Sequence, residues 1–169
     1  MKTIIEWDEK SSKNLRLADD QRFLRWIAAV LAHSGDSWFW ILGLIIFWFR
    51  GGQEWKERVI IYLAGILALA VFVMILKFTI RRRRPEGQWG AIYRQTDPHS
   101  FPSGHAARAA LLAFLGVAFG PPWWGILLAL WAPCVSLARV AMGVHYLSDV
   151  LAGLLIGLVG GGVTAFIVR

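Results

Sequence analysis

Long stretches of this chain carry no charge, and the charges that do occur gather at their ends. Residues 59–76, 109–135 and 150–168 are each free of Asp, Glu, Lys and Arg. A helix needs about 20 mostly apolar residues to cross the hydrocarbon core of a bilayer. The runs therefore predict membrane spans, with Gly120-Pro121-Pro122 breaking the middle run into two helices. Six helices are expected, over residues 20–32, 37–49, 54–80, 103–119, 123–142 and 146–168. The first two are short for full spans, and the first has only a narrow apolar face, so a tilted or partly inserted helix is an alternative there. Pro133 is a candidate kink in the fifth. The expected fold is all-α, an integral-membrane six-helix bundle. Residues 1–19 form a polar N-terminal segment, and 20–169 form the membrane domain.

Composition agrees with this pattern. The 169 residues are 57% hydrophobic with 10 Trp, and mean hydropathy is +0.52. Soluble domains reach about 45–50% apolar even with Gly counted. Acidic and basic residues are mixed through the first 25 positions, with no apolar core after a short basic start, so a cleaved signal peptide is not expected. Cys134 is the single cysteine, which excludes an internal disulfide and suits a packing role. A net charge of +7 would suggest nucleic acid in a soluble protein. Here the basic residues flank apolar runs, so anionic lipid head groups are the expected partners and nucleic acid is not. Gly153, Gly157 and Gly161 make a small-residue stripe on the last helix. Such a stripe lets another helix approach closely, and internal packing is favoured over a dimer interface.

Three segments carry candidate chemistry. Lys77 is followed by Arg84-Pro85, then comes Pro102-Ser103-Gly104-His105, then Arg139, His145 and Asp149. Each lies where a membrane helix meets water, and ionisable residues are costly there without a use. Helix parity puts all three on one membrane face. Lys77, Arg84 and Arg139 suit phosphate oxygens: arginine as a two-pronged donor, lysine as a point charge. Ser103 is a good N-cap, and the unpaired N–H groups that follow it, with the helix dipole, favour an anion. Gly104 allows close backbone approach. His145 and Asp149 are four apart, so a helix would bring them together. A carboxylate on one imidazole nitrogen would fix the tautomer and leave the other free to attack. Arg81, Arg82 and Arg83 read as interfacial or head-group-attracting residues, and His33 and His99 have no assigned part.

The pattern Lys-x6-Arg-Pro, Pro-Ser-Gly-His, Ser-Arg-x5-His-x3-Asp is the signature of the type-2 phosphatidic acid phosphatases, and this chain resembles that family from about Val59 to the C-terminus. One position departs, with Ala138 where the family usually has Ser, which removes one hydroxyl donor. The resemblance implies a membrane lipid phosphatase. Its substrate would be a phosphomonoester or diphosphate lipid: phosphatidic acid, phosphatidylglycerophosphate, polyprenyl (di)phosphate or lipid A phosphate. It implies His145 as nucleophile through a phosphohistidine, Asp149 orienting it, and His105 as general acid and base. Lys77, Arg84, Ser103, Gly104 and Arg139 would hold phosphate. A phosphotransferase using the same intermediate and a catalytically silent lipid-binding protein are the alternatives. No cofactor or metal is expected, because Asp149 reads as the site's single acid and is committed to His145, and no Cys/His ligand spacing occurs. Head-group choice falls to the 86–101 loop and the first two helices. With six spans, both termini and the 50–58 turn share one side and 10 of the 18 basic residues. Three of the other eight are committed to phosphate, so the positive-inside rule puts the active face outside the cytoplasm in a cell membrane.

Overall fold

The computed structural model describes residues 2–86 and 97–169. Residues 87–96, most of the loop expected to select the head group, lie outside the described residues. The elements are α1 (Lys2–Asn14), α2 (Arg22–Ser34), α3 (Ser37–Arg50), α4 (Gln53–Ile80), α5 (Gly104–Phe119), α6 (Pro122–Ala141) and α7 (Leu147–Val168). All six expected helices are present, with ends within two residues of those expected. The addition is α1, in the segment read as merely polar. Its inward positions are Asp8 and Ser12, both buried, while Ile5 and Trp7 face outward. Apolar periodicity therefore gives no sign of its docking face.

The bundle is built around α5, whose residues from Ala106 to Ala113 are all buried. These are mostly alanines, so neighbouring helices come close. A Cβ on Gly153 would lie 2.5 Å from the Ser103 carbonyl oxygen, and one on Gly157 would lie 2.0 Å from that of Ala107. A Cβ on Gly161 would lie 2.7 Å from Phe114 Cβ. The glycine stripe is thus an α5–α7 packing surface within one chain. Gly157→Ala is expected to cost about 1–3 kcal/mol by overpacking, seen as a lowered unfolding midpoint in detergent. At the far end of the bundle, Phe47 stacks on Trp55 with centroids 4.5 Å apart, while beside the Ser34–Ser37 break Trp40 lies 4.9 Å from Trp131. Large apolar side chains on the outside, such as Leu67, Leu130, Leu155 and Phe166, are exposed along the helices. An apolar exterior of this extent matches a lipid-facing surface.

Helices α4, α6 and α7 are each long and apolar enough to span by length and composition. Helices α2 and α3 meet that criterion only as a pair, bent by 57° at the Ser34–Ser37 break, and α5 is a shorter apolar helix of 16 residues. Together the pair runs along α6. Ala28 and Ala32 of α2 pack with Ala138, Met142 and Val144 at the end of α6, whereas Phe47 near the end of α3 reaches Trp124 at the start of α6. By length and composition, three of the described helices qualify as spans, or four when the bent pair is counted as one. The α1–α2 region lies with the catalytic segments: Leu17 N–H donates to the Ala141 carbonyl at 3.0 Å, and Asp8 and Ser12 bind the start of α7. This corrects the six-span parity. The six basic residues among the first 25 move to the active face. Only Arg50, Lys56, Arg58 and Arg169 remain at the other end, so the charge count behind the extracytoplasmic expectation does not apply to this arrangement.

Candidate active site

Four helix ends converge on one pocket. Lys77 is in the last turn of α4, buried, and Arg81 then caps that helix in a left-handed conformation with φ 53°. The chain doubles back: Arg83 pairs with His99 in an isolated antiparallel bridge, and Ser100 N–H donates to the Arg82 carbonyl at 2.8 Å. This reversal turns Arg84 inward. Its Nη1 donates to the Val144 carbonyl at 2.9 Å and lies 3.2 Å from His145 Nε2. At the start of α5, Ser103 caps the helix and its Oγ accepts from Ala106 N–H at 3.5 Å. A Cβ on Gly104 would meet only Val73, at 3.6 Å, so packing does not demand glycine; the position lines the pocket. Arg139 arrives from α6, buried, and Gly143 (φ 66°) makes the turn that delivers His145. The pocket is lined by Lys77, Gly104, His105, Arg139 and His145 among others, so these expected residues are brought together.

Arginine only donates. The His145 Nε2 facing Arg84 is therefore the unprotonated nitrogen, and the proton sits on Nδ1. That nitrogen faces Asp149 Oδ2 at 3.6 Å, an ion-pair distance longer than a hydrogen bond. The dyad geometry differs from the helical i,i+4 arrangement expected. His145 precedes α7, and Asp149 is its third residue, accepting from Tyr146 N–H at 2.9 Å in a capping box. The carboxylate's other oxygen accepts from Arg82 Nη1 at 2.8 Å. Burial, and then the charges of Arg139, Arg84 and Lys77, holds the His145 imidazole well below the ordinary histidine range, so it is neutral at physiological pH.

Three acidic residues belong to this region besides Asp149, and the expectation of a single acid is corrected. Asp97 Oδ2 accepts from Arg84 Nη2 at 2.8 Å and from Lys77 Nζ, and the Asp97 carbonyl accepts from Arg84 Nε at 2.7 Å. Burial opposes ionisation of Asp97, yet the bond from Lys77 and the charges of Lys77 and Arg84 hold it below the ordinary carboxylate range. Its carboxylate thus bridges the two cations. Asp36, in the α2–α3 break, lies 2.7 Å from His105 Nε2 and 3.1 Å from His33 Nδ1. Arg108 fixes the break by donating to the Gly35 carbonyl and to Ser37 Oγ. Asp8 is the third, on α1. Among the described residues, no three His, Cys, Asp or Glu side chains are grouped to hold a metal ion. Arg82 departs from the interfacial reading given to Arg81–Arg83, because it binds Asp149, Asp8 and Ser148. The pairings of Asp36 with His105 and of Arg82 with Asp8 and Asp149 have no sequence signal, since each joins distant parts of the chain.

A buried cluster of cations, imidazoles and carboxylates thus sits at the helix ends of an all-helical bundle. Residues 58–169 match the model of the PAP2 superfamily, and the chain belongs to that superfamily. The decaprenylphosphoryl-5-phosphoribose phosphatase of Mycobacterium tuberculosis is 33% identical over 116 residues, covering 68% of this chain and 61% of that protein. An undecaprenyl-diphosphatase of Sulfolobus acidocaldarius is 29% identical over 139 residues, covering 79% and 66%. The lipid A 4'-phosphatase of Bacteroides thetaiotaomicron is 44% identical over 68 residues, covering 40% and 30%. The chain thus spans about 61% of the length of the mycobacterial relative. The Bacillus subtilis transmembrane PAP2-type phosphatidylglycerolphosphate phosphatase superposes with a TM-score of 0.75 at 24% identity, covering 99% of this chain and 87% of that one. Aquifex aeolicus LpxE superposes at 0.74 and 24%, covering 92% of each. These two likenesses establish the fold, that of transmembrane helical PAP2 phosphatases.

Proposed function

We propose that this protein is a lipid phosphatase of the cell membrane, cleaving a phosphomonoester or diphosphate lipid through a phosphohistidine and without a metal. The observation that carries this reading is the Asp97 carboxylate held between Lys77 and Arg84, beside the unprotonated nitrogen of His145. A phosphate in that position meets two cations and a neutral nucleophile at once. The same pocket, about 470 Å³, continues between α3 and α4 along Ile66, Leu69 and Val73. Its apolar walls favour a ligand whose phosphate is attached to a hydrocarbon tail. The named relatives act on a decaprenyl-linked sugar phosphate, an undecaprenyl diphosphate and lipid A, which share that design.

In the first step His145 Nε2 forms a bond to phosphorus as the ester P–O bond breaks, and His105 gives its proton to the leaving oxygen. In the second, water attacks phosphorus as the P–N bond breaks, and His105, neutral after the first step, takes a proton from that water. Asp149 faces the Nδ1 proton and stabilises the positive charge that His145 acquires. Asp36 orients His105 and supplies its counter-charge while it carries the proton. Lys77, Arg84 and Arg139, with Ser103 and the first N–H groups of α5 at Gly104, receive the charge gathering on the phosphoryl oxygens.

The test is phosphate release by the full chain in lipid vesicles. The panel comprises phosphatidic acid, phosphatidylglycerophosphate, polyprenyl mono- and diphosphate and lipid A. At least one is expected to be cleaved, with full activity in EDTA and strong inhibition by orthovanadate, which adopts the five-coordinate geometry of phosphoryl transfer. Loss of activity in EDTA, restored by Mg²⁺ or Zn²⁺, contradicts the reading. Release that depends on an added alcohol assigns the site to phosphotransfer instead.

A further inference from the structure

The start of α7 carries the dyad, and it is held largely from outside α7. The first N–H groups of a helix have no partner within it. Here Leu147 N–H donates to Ser12 Oγ at 2.8 Å and Ser148 N–H to Asp8 Oδ1 at 3.0 Å, so α1 caps α7 in trans. Ser148 Oγ also donates to Asp8 Oδ2, at 2.5 Å. Arg82 bridges the same two elements. Its Nη2 donates to Asp8 Oδ2 at 2.6 Å, its Nη1 donates to Ser148 Oγ at 2.6 Å and to Asp149 Oδ1 at 2.8 Å, and its guanidinium lies 4.0 Å over the Tyr146 ring. A continuous line of charge-assisted bonds therefore runs from α1 through Arg82 to the carboxylate facing His145. Asp8 is buried and ionised: burial opposes its charge, but the bonds from Ser148 and Arg82 hold it below the ordinary carboxylate range.

We propose that Asp8 and Arg82 are positioning residues for the phosphoryl-transfer reaction, and that α1 is an arm of the catalytic centre that keeps Asp149 turned toward His145. Arg82 has two charged partners, and they do different work. The Asp149 bond orients the carboxylate; the Asp8 bond orients the guanidinium. Without Asp8, Arg82 would be free to engage Asp149 through both nitrogens, rotating the carboxylate away from Nδ1. Without Arg82, Asp149 would keep its bonds from Tyr146 N–H and Ser100 but lose this cationic partner. Either change leaves the phosphate-holding cations in place, so the loss falls on attack rather than on binding. This inference rests on the phosphohistidine reading.

The test is a double-mutant cycle on the full chain in vesicles, with Asp8→Asn and Arg82→Gln each made alone and in an Asp149→Asn background. Each single change is expected to lower kcat and the rate of phosphoenzyme formation about tenfold at unchanged KM, within the range for residues coupled in one network. In Asp149→Asn the added loss should shrink to less than about twofold, because the group being positioned is already gone. Asp8→Glu, which keeps the charge, should recover part of the loss and guards against a folding defect in Asp8→Asn. Losses that multiply in full in the Asp149→Asn background would show a merely structural role and overturn the proposal. So would a rise in KM at unchanged kcat, or wild-type kcat in both single variants. Full kcat in Asp149→Asn alone would remove the parent mechanism itself, a result distinct from failure of the α1 arm.

Discussion

His145→Ala is expected to form neither phosphoenzyme nor product, whereas His105→Ala should retain the nucleophile and fail later. Positioned acid–base groups contribute about 10²–10⁴-fold, so His105→Ala should turn over lipid slowly. A p-nitrophenyl ester needs little leaving-group protonation and should partly restore the first step. Water activation remains impaired, so phosphohistidine should accumulate. The measurement is acid-labile, base-stable phosphate on the protein after a rapid quench. Because burial and the surrounding cations keep His145 neutral well below the ordinary histidine range, its labelling should persist into mildly acidic buffer and be lost only where the imidazole protonates. Label that survives in His145→Ala would assign the nucleophile elsewhere.

Arg84→Ala should be nearly as damaging. Arg84 touches the Val144 carbonyl, His145 Nε2 and Asp97, so its removal takes away a phosphate-holding charge and a support of the nucleophile together. Loss of one preorganised donor to a developing charge costs about 10²–10³-fold, and a loss of at least that size in kcat/KM is expected here. Arg84→Lys should not rescue, since one ammonium cannot span partners that the guanidinium reaches in two directions. Near-wild-type kcat/KM in Arg84→Lys would mean that charge alone is needed at this position.

The motif residues were legible because the family resemblance ties particular residue types to fixed spacing, and the apolar runs between them are long enough to read as helices. Lys77, Arg84, His105, Arg139, His145 and Asp149 could be placed on one face before any coordinates. The glycine stripe was legible for the same reason, as a periodic feature of one helix. What escaped is all non-local. Asp36 acts on His105 across 69 positions and Arg82 on Asp149 across 67. Helices α2 and α3 each looked like a short span, yet they form one bent pair, whose break at Ser34–Ser37 is held by Arg108 and packed against Val135 from other helices. Helix α1 turns its polar side inward, opposite to the pattern that hydrophobic periodicity detects.

The Asp97 contact changes what substrate binding means in this protein. Cations kept at a membrane surface without a counter-ion are costly, and removing one partner of a buried pair leaves an uncompensated charge. Asp97 acts as the resident counter-ion of Lys77 and Arg84. On the proposed function, a phosphate arriving there would exchange one anion for another rather than fill a bare positive hole. Only the difference between the two anions would then count as affinity, and a returning carboxylate would compete with inorganic phosphate on its way out.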